Sequence, residues 1–269
     1  LLSRTREICR MFEIAPAHSK GQNFLINETI YDDIVKAAEI APNDTVLEVG
    51  PGLGFLTARL AKVAKQVIAV ELDDKLAAYL QMAVDSQDPV NVSVINEDIL
   101  RFNLPAALPE RPPYKVVANL PYNITSLFLR TFLSSAYPPS SLVLMLQKEV
   151  AERIAAAPPE MSLLAVSVQY YCEPTIVRPV KAGNFWPEPE VDSAVIKLVR
   201  RAGGYNPEED KAFFRIVRSG FSSKRKMLKN NLCNGLKITP AEAASALSAA
   251  GLNLTVRAEE LSVENWRKL

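Results

Sequence analysis

Four consecutive residues, Asn119-Leu120-Pro121-Tyr122, combine groups that can act on a conjugated amine. Such an amine is a weak nucleophile because its lone pair is delocalised into the ring. Acceptors that hold both N–H groups out of conjugation would help it react, and the Asn119 side-chain oxygen and a backbone carbonyl near Leu120 or Pro121 are of this kind. Tyr122 would stack on the ring and fix its angle. The pattern predicts a pocket for the exocyclic amine of a nucleobase.

An ordinary turn is the alternative interpretation of this tetrapeptide, because Asn and Pro are common in turns. A second aromatic group lies in Phe185-Trp186-Pro187-Glu188-Pro189, where the prolines stiffen a loop. Phe185 would close on the other face of a flipped base, with core packing as the alternative. Both interpretations depend on where the fold places these segments.

A glycine-rich stretch, Glu48-Val49-Gly50-Pro51-Gly52-Leu53-Gly54, follows an apolar run and predicts a strand-to-helix turn that approaches a ligand closely. Glu71 ends the next apolar run, about 20 residues after Gly50, where an acidic side chain can accept from ribose hydroxyls. Asp98 follows the third run and would accept from an adenine amino group, or would be a solvated turn residue. The glycine spacing differs from that of dinucleotide binders and no phosphate-binding lysine follows, so we expect a nucleoside cofactor without phosphates.

The elements that position these residues alternate between short β-rich runs and amphipathic helices, which predicts an α/β fold with a mostly parallel sheet. The carboxyl ends of its strands would then gather Gly50, Glu71, Asp98 and Asn119 at one crevice. The predicted strands are 45–49, 66–70, 92–95, 115–118 and 142–146, with 191–198 as an antiparallel edge strand. The predicted helices among them are 53–64, 73–84 and 125–136.

A linker rich in Gly, Pro and charge, 200–207, predicts a division into residues 1–203 and a small all-α domain of residues 204–269. The helices expected in the second domain are 208–220, 224–234, 240–250 and 262–269.

Composition is that of an ordinary globular enzyme, with 48% hydrophobic and 23% charged residues. No apolar run approaches the ~20 residues of a membrane span, and the first ten residues lack a secretory pattern, so we expect a soluble, cytoplasmic protein. Three scattered cysteines, expected to be buried thiols, and a single histidine, His18, predict no metal site. The net charge of +1 gives no support for a nucleic-acid partner.

Taken in order along the chain, seven motifs resemble those of the KsgA-type small-subunit ribosomal RNA adenine dimethyltransferases. These are relatives of the erythromycin-resistance methylases and of mitochondrial transcription factor B. The motifs are Gly21-Gln22-Asn23-Phe24-Leu25, 48–54, Val70-Glu71-Leu72-Asp73, Glu97-Asp98, 119–122, Gln147-Lys148-Glu149-Val150-Ala151 and 185–193.

The resemblance implies a Rossmann-like methyltransferase domain that binds S-adenosyl-L-methionine, followed by a helical domain. It implies donor contacts at Asn23, Leu25, Gly50, Glu71, Asp98 and Asn119. It also implies a substrate: two adjacent adenosines in the 3′-terminal hairpin loop of small-subunit (16S) rRNA, each dimethylated at N6 within a pre-ribosomal 30S particle. We expect a monomer.

A basic segment, 221–232, resembles one that the family carries on a carboxyl-terminal helix. Its four cations, which would contact RNA phosphates or form a solvated face, are Lys224, Arg225, Lys226 and Lys229. Met227 stands where the family usually has threonine. His18 precedes Gly21 where the family is more basic, and we expect it to have no acid or base role.

Two other functions share these motifs. An erythromycin-resistance type methylase of large-subunit rRNA would have a similar catalytic half, although segments 185–193 and 258–266 favour the small-subunit type. A non-catalytic RNA or transcription-assembly module of the mitochondrial kind would keep the fold, but the intact motifs favour an enzyme.

Overall fold

A computed structural model describes residues 1–16, 22–86, 91–203 and 206–269. His18 and Gly21, which the sequence singled out, lie outside the described residues, as does Gly204 at the expected domain boundary. The strands are β1 Phe24–Leu25, β2 Thr45–Val49, β3 Gln66–Glu71, β4 Val92–Asn96, β5 Tyr114–Asn119, β6 Ser141–Gln147, β7 Cys172–Val180, β8 Phe185–Trp186 and β9 Ser193–Arg200.

The α-helices begin with α1 Leu2–Met11, α2 Glu28–Ala38, α3 Thr57–Leu60, α4 Asp74–Asp85, α5 Leu104–Ala107 and α6 Thr125–Leu133. They continue with α7 Lys148–Ile154, α8 Leu163–Gln169, α9 Pro207–Gly220, α10 Leu228–Leu236, α11 Pro240–Ala249 and α12 Val263–Arg267. None of the helices in the described ranges is both long and apolar enough to span a bilayer.

A seven-stranded sheet in the order β4-β3-β2-β5-β6-β9-β7 forms the centre of the fold. β2 pairs in parallel with β3 and with β5, and β5 pairs in parallel with β6. All five residues of β2 are buried, as are the first six of β6, which explains why these strands are continuous apolar runs. The five predicted parallel strands are therefore confirmed, each within one residue at either end.

The prediction of an edge strand was wrong in one respect. β9 runs antiparallel to β6, as expected, but β7 lies outside it and forms the edge. Nothing in the sequence analysis indicated β7. Its nine residues include two prolines, Pro174 and Pro179, and most are exposed or half-buried, so the strand has no alternating apolar pattern. Pro within a run argues against a strand except at an edge, where its missing N–H is tolerated.

The helices that cover the sheet begin at side chains suited to capping. Asn27 accepts from the Thr29 N–H at the start of α2, and Asp73 accepts from the Lys75 and Leu76 N–H groups at the start of α4. The helix predicted over 53–64 is shorter than expected. Only α3 is α-helical there, because Gly52 and Gly54 keep positive φ angles and delay the helix beyond the glycine turn.

The chain forms two compact units, Leu1–Ala151 with Thr175–Arg200, and Glu152–Pro174 with Arg201–Leu269. The first unit contains most of the sheet and a core built from α1, α2 and the strand faces. The division expected after residue 203 assigned 152–174 to the first domain. Within the second unit, however, Ala165 and Val166 of α8 share a buried cluster with Phe213 and Val217 of α9, so burial joins this segment to the carboxyl-terminal helices.

The basic segment departs from its expected conformation. The sequence predicted a helix over 224–234, but α10 begins only at Leu228. Lys224, Arg225 and Lys226 lie in the turn that precedes it, and Lys229 alone is helical. The buried Asn231 amide donates to the Gly220 and Ser223 carbonyls, which holds this turn against the end of α9. Of the three cysteines, Cys9 and Cys172 are buried and Cys233 is half-buried.

Candidate active site

One cleft in the first unit gathers most of the predicted site residues. It lies where β2, β3 and β5 end, the edge at which ligands of open α/β sheets bind. Its lining includes Asn23, Leu25, Gly50, Glu71, Asn119, Leu120, Pro121, Tyr122 and Phe185. These residues come from segments far apart in sequence, and the parallel pairing of neighbouring strands brings them together. Among the described residues, no group of three or more His, Cys, Asp or Glu side chains forms a candidate metal centre.

The glycine turn after β2 forms the floor of the cleft. Gly50 has a φ of +65° and donates its N–H to the Val70 carbonyl at 2.9 Å, which ties the turn to β3. A Cβ at Gly50 would lie 3.9 Å from both the Asn119 carbonyl oxygen and the Pro121 ring. The glycine turn therefore faces the tetrapeptide that begins at the last residue of β5, and a side chain at Gly50 would be in van der Waals contact with it.

Glu71 is held rigidly at the end of β3. One carboxylate oxygen accepts from the Gly52 N–H at 3.0 Å and the other from the Asp73 N–H at 2.9 Å. Burial raises the pKa of this carboxyl, and the two backbone donors oppose the rise. A carboxylate offers about four acceptor positions, so two backbone donors leave it able to accept from further hydroxyl groups.

A short antiparallel pair closes one side of the cleft. In this pair Phe24 of β1 lies opposite Trp186 of β8, and Leu25 lies opposite Phe185. Phe185 is buried and belongs to the core of the first unit while it lines the cleft. Its two interpretations, core packing and a wall for a base, are therefore compatible with each other.

The Asn119 side chain is oriented by the chain segment before β1. Its amide nitrogen donates to the Asn23 carbonyl at 3.4 Å. Since this contact uses the nitrogen, the side-chain oxygen is the atom that can accept from an incoming amine. This acceptor role of Asn119 was predicted from the sequence, but the orientation of its amide by Asn23 was not.

The backbone of the tetrapeptide narrows the choice of a second acceptor. The Pro121 carbonyl accepts from the Ile124 N–H at 3.3 Å and from the Thr125 hydroxyl at 3.4 Å, since it helps to begin α6. Within the described part of the chain, the Leu120 carbonyl has no such donor. Of the two carbonyls that the sequence left open, Leu120 is the one not already bonded.

Tyr122 is fixed by a residue that sequence reasoning did not single out. Its hydroxyl lies 2.8 Å from the hydroxyl of Ser193, the first residue of β9, and Ser193 is fully buried. Burial raises the pKa of Tyr122, so the phenol stays protonated and neutral. Ser193 ends the quoted motif 185–193, and that position was the only signal of its role.

Glu48 is a second residue of the sequence motifs whose surroundings only the structure shows. It lies within β2, lines the cleft and is 1% exposed. Neither carboxylate oxygen has a hydrogen-bond partner among the described residues. Burial raises the pKa of Glu48 to about 8, and the charge of Glu71 adds to this rise. The Thr57 hydroxyl opposes the rise, although its geometry is not that of a hydrogen bond.

The structure does not bring every predicted residue to the cleft. Asp98 follows β4 at the same edge of the sheet, but it is not among the residues that line the cleft. One of its oxygens accepts from the Leu100 N–H at 2.9 Å, and the other lies 3.9 Å from Arg101. The four cations of the basic segment belong to the second unit.

Comparison with known sequences decides which family has this arrangement. The profile described as ribosomal RNA adenine dimethylase matches residues 17–269. The chain belongs to this family. A ribosomal RNA small subunit methyltransferase A from Dehalococcoides mccartyi is 43% identical over 270 residues, covering 100% of this chain and 92% of that protein. One from Clostridium acetobutylicum is 39% identical over 268 residues, covering 98% and 96%.

Solved structures agree with this assignment. The 23S rRNA methyltransferase ErmE is 28% identical with a TM-score of 0.75, over 91% of this chain and 97% of ErmE. A dimethyladenosine transferase from Plasmodium falciparum is 26% identical with a TM-score of 0.77, over 91% and 95%. The predicted family, the Rossmann-like methyltransferase fold and the assignment as an enzyme are thereby confirmed.

Proposed function

We propose that this rRNA adenine dimethylase transfers methyl groups from S-adenosyl-L-methionine to N6 of two adjacent adenosines in the 3′-terminal hairpin loop of small-subunit (16S) rRNA. The observation that carries the proposal is the approach of the glycine turn to the tetrapeptide: Gly50 faces the Asn119 carbonyl and the Pro121 ring. A donor held by the turn would therefore lie beside an amine held by the tetrapeptide.

The residues of the cleft fit the donor. The turn has positive φ angles at Gly50, Gly52 and Gly54, so backbone and not side chain faces the ligand there. Glu71 keeps acceptor capacity for ribose hydroxyls, and Glu48 offers an unpaired carboxyl to a cationic ligand. Asn23, Leu25, Gly50, Glu71 and Asn119 would hold the donor, with Asp98 reached by the adenine end beyond the cleft lining. The donor supplies an electrophilic methyl group on a sulfonium centre.

The chain's own groups would prepare the amine. The Asn119 oxygen and the Leu120 carbonyl would accept its two N–H groups, which returns electron density to the nitrogen. Tyr122 would stack on one face of the base and Phe185 would bound the other, so that the base is held at one angle. Pro121 has no N–H that could compete for these acceptors. No general base is needed before methyl transfer, because the amine is already neutral.

The small subunit is the proposed target because of the sequence relatives. Those that cover almost the whole chain at 39–43% identity are called small-subunit methyltransferases, whereas ErmE, a 23S rRNA enzyme, is 28% identical. A large-subunit target is the second candidate, supported by the ErmE fold match, whose TM-score of 0.75 is close to the 0.77 of the dimethyladenosine transferase from Plasmodium falciparum.

The basic turn would supply phosphate contacts to the RNA. Lys224, Arg225 and Lys226 are all exposed, as phosphate contacts require, and Lys229 is half-buried on α10. Lys and Arg side chains bind phosphates without reading the base sequence, so this turn would position the RNA and leave the choice of adenosine to the cleft. The partner would be rRNA within a pre-ribosomal 30S particle in the cytoplasm, bound by a monomer.

Labelled methyl transfer tests the proposal. The protein is incubated with methyl-labelled S-adenosylmethionine and either unmethylated small-subunit particles or large-subunit rRNA, and primer extension then maps the modified bases. We expect label at two adjacent adenosines of the 3′-terminal small-subunit hairpin. Label on large-subunit rRNA alone would select the second candidate, and an absence of label on both would refute the enzyme assignment.

A further inference from the structure

Glu48 is a buried residue of the first unit whose carboxyl has no hydrogen-bond partner in the described structure. It is 1% exposed, both of its oxygens lack hydrogen-bond donors, and it lines the cleft. A buried ion without a partner costs several kcal/mol, so such a group either loses its charge or serves a ligand that supplies the missing partner.

The groups around Glu48 provide no counter-ion. Tyr31 of α2 donates its hydroxyl to the Leu25 carbonyl at 3.0 Å and so is committed elsewhere. Arg59 of α3 lies over the Tyr31 ring at 5.0 Å, but its guanidinium pairs with Asp32 at 3.0 Å and Glu28 at 3.6 Å. Its cationic charge is therefore already balanced by two carboxylates.

The remaining neighbours act in opposite directions: the Thr57 hydroxyl favours a charge on Glu48, and the Glu71 carboxyl disfavours it. Thr57 of α3 is also buried, and its hydroxyl has no hydrogen-bond partner in the described structure. Glu71 of β3 is a second carboxyl in the same cleft, and like charges near each other disfavour ionisation of both. Since Glu71 receives two backbone N–H bonds and Glu48 receives none, Glu48 is the carboxyl that keeps its proton.

We propose that Glu48 carries a proton when the cleft holds no cation and releases it to solvent when the cationic sulfonium donor binds. The O–H bond of the carboxyl breaks, the proton passes to buffer, and the carboxylate remains to face the positive charge of the ligand. The inference rests on the proposed function, since it takes S-adenosylmethionine as the cation. It adds a proton-coupled step to donor binding that an uncharged nucleoside would not cause.

The coupling has a definite sign with pH. Burial raises the pKa of Glu48 to about 8 in the absence of ligand, and a bound cation lowers it. Below that pKa the donor must displace a proton, so donor affinity rises by up to about tenfold for each pH unit and then levels off above pH ~8. At pH 7, below that pKa, most Glu48 carboxyls carry a proton, so donor binding releases up to one proton.

Isothermal titration calorimetry of the full chain measures this proton directly. Binding heats at pH 7 are compared in two buffers of different ionisation enthalpy, with S-adenosylmethionine and with 5′-methylthioadenosine as ligands. The second ligand has the adenosine and a neutral thioether, so it presents the same ribose to Glu71 but no cation. We expect close to one proton released with the donor and close to none with the thioether.

Two variants assign the proton to its residue. Glu48→Gln resembles the protonated side chain in shape and charge, so the fold is preserved. We expect donor affinity that is weaker and independent of pH between about 6 and 7, below the titration of the donor's own amino group, with no proton release at pH 7. Glu97→Gln removes an exposed carboxyl that lies at the same edge of the sheet but does not line the cleft, and we expect this variant to release the same proton as the unchanged protein.

The outcomes separate this inference from the proposed function. If the unchanged protein binds S-adenosylmethionine without releasing a proton, or releases as many with 5′-methylthioadenosine, the role of Glu48 is refuted while donor binding stands. The same follows if Glu48→Gln still binds and still releases the proton. If the unchanged protein does not bind S-adenosylmethionine at all, the proposed function is refuted together with the inference.

Discussion

The hydrogen bond between Tyr122 and Ser193 predicts that Ser193 affects the rate of methyl transfer, although Ser193 does not line the cleft. Ser193→Ala removes one hydroxyl of a pair that is 2.8 Å apart, and Tyr122→Phe removes the other. If the bond sets the angle of the tyrosine ring, either change frees the ring to the same extent. Each single variant should then lower the rate of methyl transfer, and the double variant should be no slower than the slower single variant.

The expected magnitude follows from the burial of the pair. Ser193 is fully buried and Tyr122 is half-buried, so the bond is shielded from water on one side. A hydrogen bond of this kind contributes about 0.5–1.5 kcal/mol net. Since about 1.4 kcal/mol corresponds to a tenfold change in rate, a ring that must be reordered in each turnover should slow the chemical step by about two- to twelvefold.

Single-turnover methyl transfer to unmethylated small-subunit particles, at saturating donor and excess enzyme, measures this step without product release. Calorimetric donor affinity should stay unchanged in all three variants, because neither hydroxyl belongs to the proposed donor contacts. Ser135→Ala is the matched control. Its hydroxyl donates to the Phe132 carbonyl at 3.0 Å beyond the far end of α6, so its loss should leave the rate unchanged.

Two results would contradict the reasoning. Rate losses that multiply in the double variant would mean that the two hydroxyls act independently and do not work through one bond. A Ser193→Ala rate equal to that of the unchanged protein would mean that the ring needs no anchor at all.

Three further predictions follow from the site and its supports. Asn119→Ala should lower the single-turnover rate at least about tenfold while donor binding stays measurable, because the Asn119 oxygen is aimed at the amine. The control is Asn123→Ala at an exposed neighbouring position. An unchanged rate in Asn119→Ala would refute the acceptor role. Gly54→Ala should lower the free energy of unfolding in urea by about 2–4 kcal/mol, because its φ is +75° and the new Cβ would lie 2.5 Å from Leu80. Gly251→Ala, with a φ of +72° and open space around it, should cost only about 1–2 kcal/mol, and equal losses would show that the contact with Leu80 is relieved without cost. Changing Lys224, Arg225 and Lys226 together to Ala should flatten the slope of log affinity for RNA against log salt concentration by about 0.7–0.9 for each lost phosphate contact. The control variant, Lys62→Ala with Lys65→Ala, should keep the slope of the unchanged protein. Identical slopes in the two variants would show that the basic turn does not contact the RNA.

Much of the parallel sheet and its cleft was predictable because local rules dominate there. Buried parallel strands are continuous apolar runs, and the glycines of the turn mark the end of β2 from sequence alone. Since parallel strands end at one edge, the sequence also indicated that Gly50, Glu71, Asp98 and Asn119 would meet. The structure places three of these residues in the lining of one cleft, and Asp98 is not among the lining residues.

Features set by distant contacts were not predictable in the same way. β7 lacks an alternating pattern, because an edge strand with two prolines has few buried positions to reveal its period. The segment 152–174 carries no sign in its own residues that α8 packs with α9. The start of α10 was misplaced because a run of Lys and Arg has good helix propensity, whereas the buried Asn231 amide holds the preceding residues in a turn.

The sequence by itself determined the type of chemistry. It fixed which residues follow which strand, and residue type and order were enough to indicate a nucleoside cofactor and an amine substrate. Only the tertiary structure decided how those residues are held: Asn23 orients Asn119, Ser193 anchors Tyr122, and Glu48 is buried without a partner. Hydrogen bonds and burial of this kind depend on which segments meet in space, and sequence spacing does not encode that information locally.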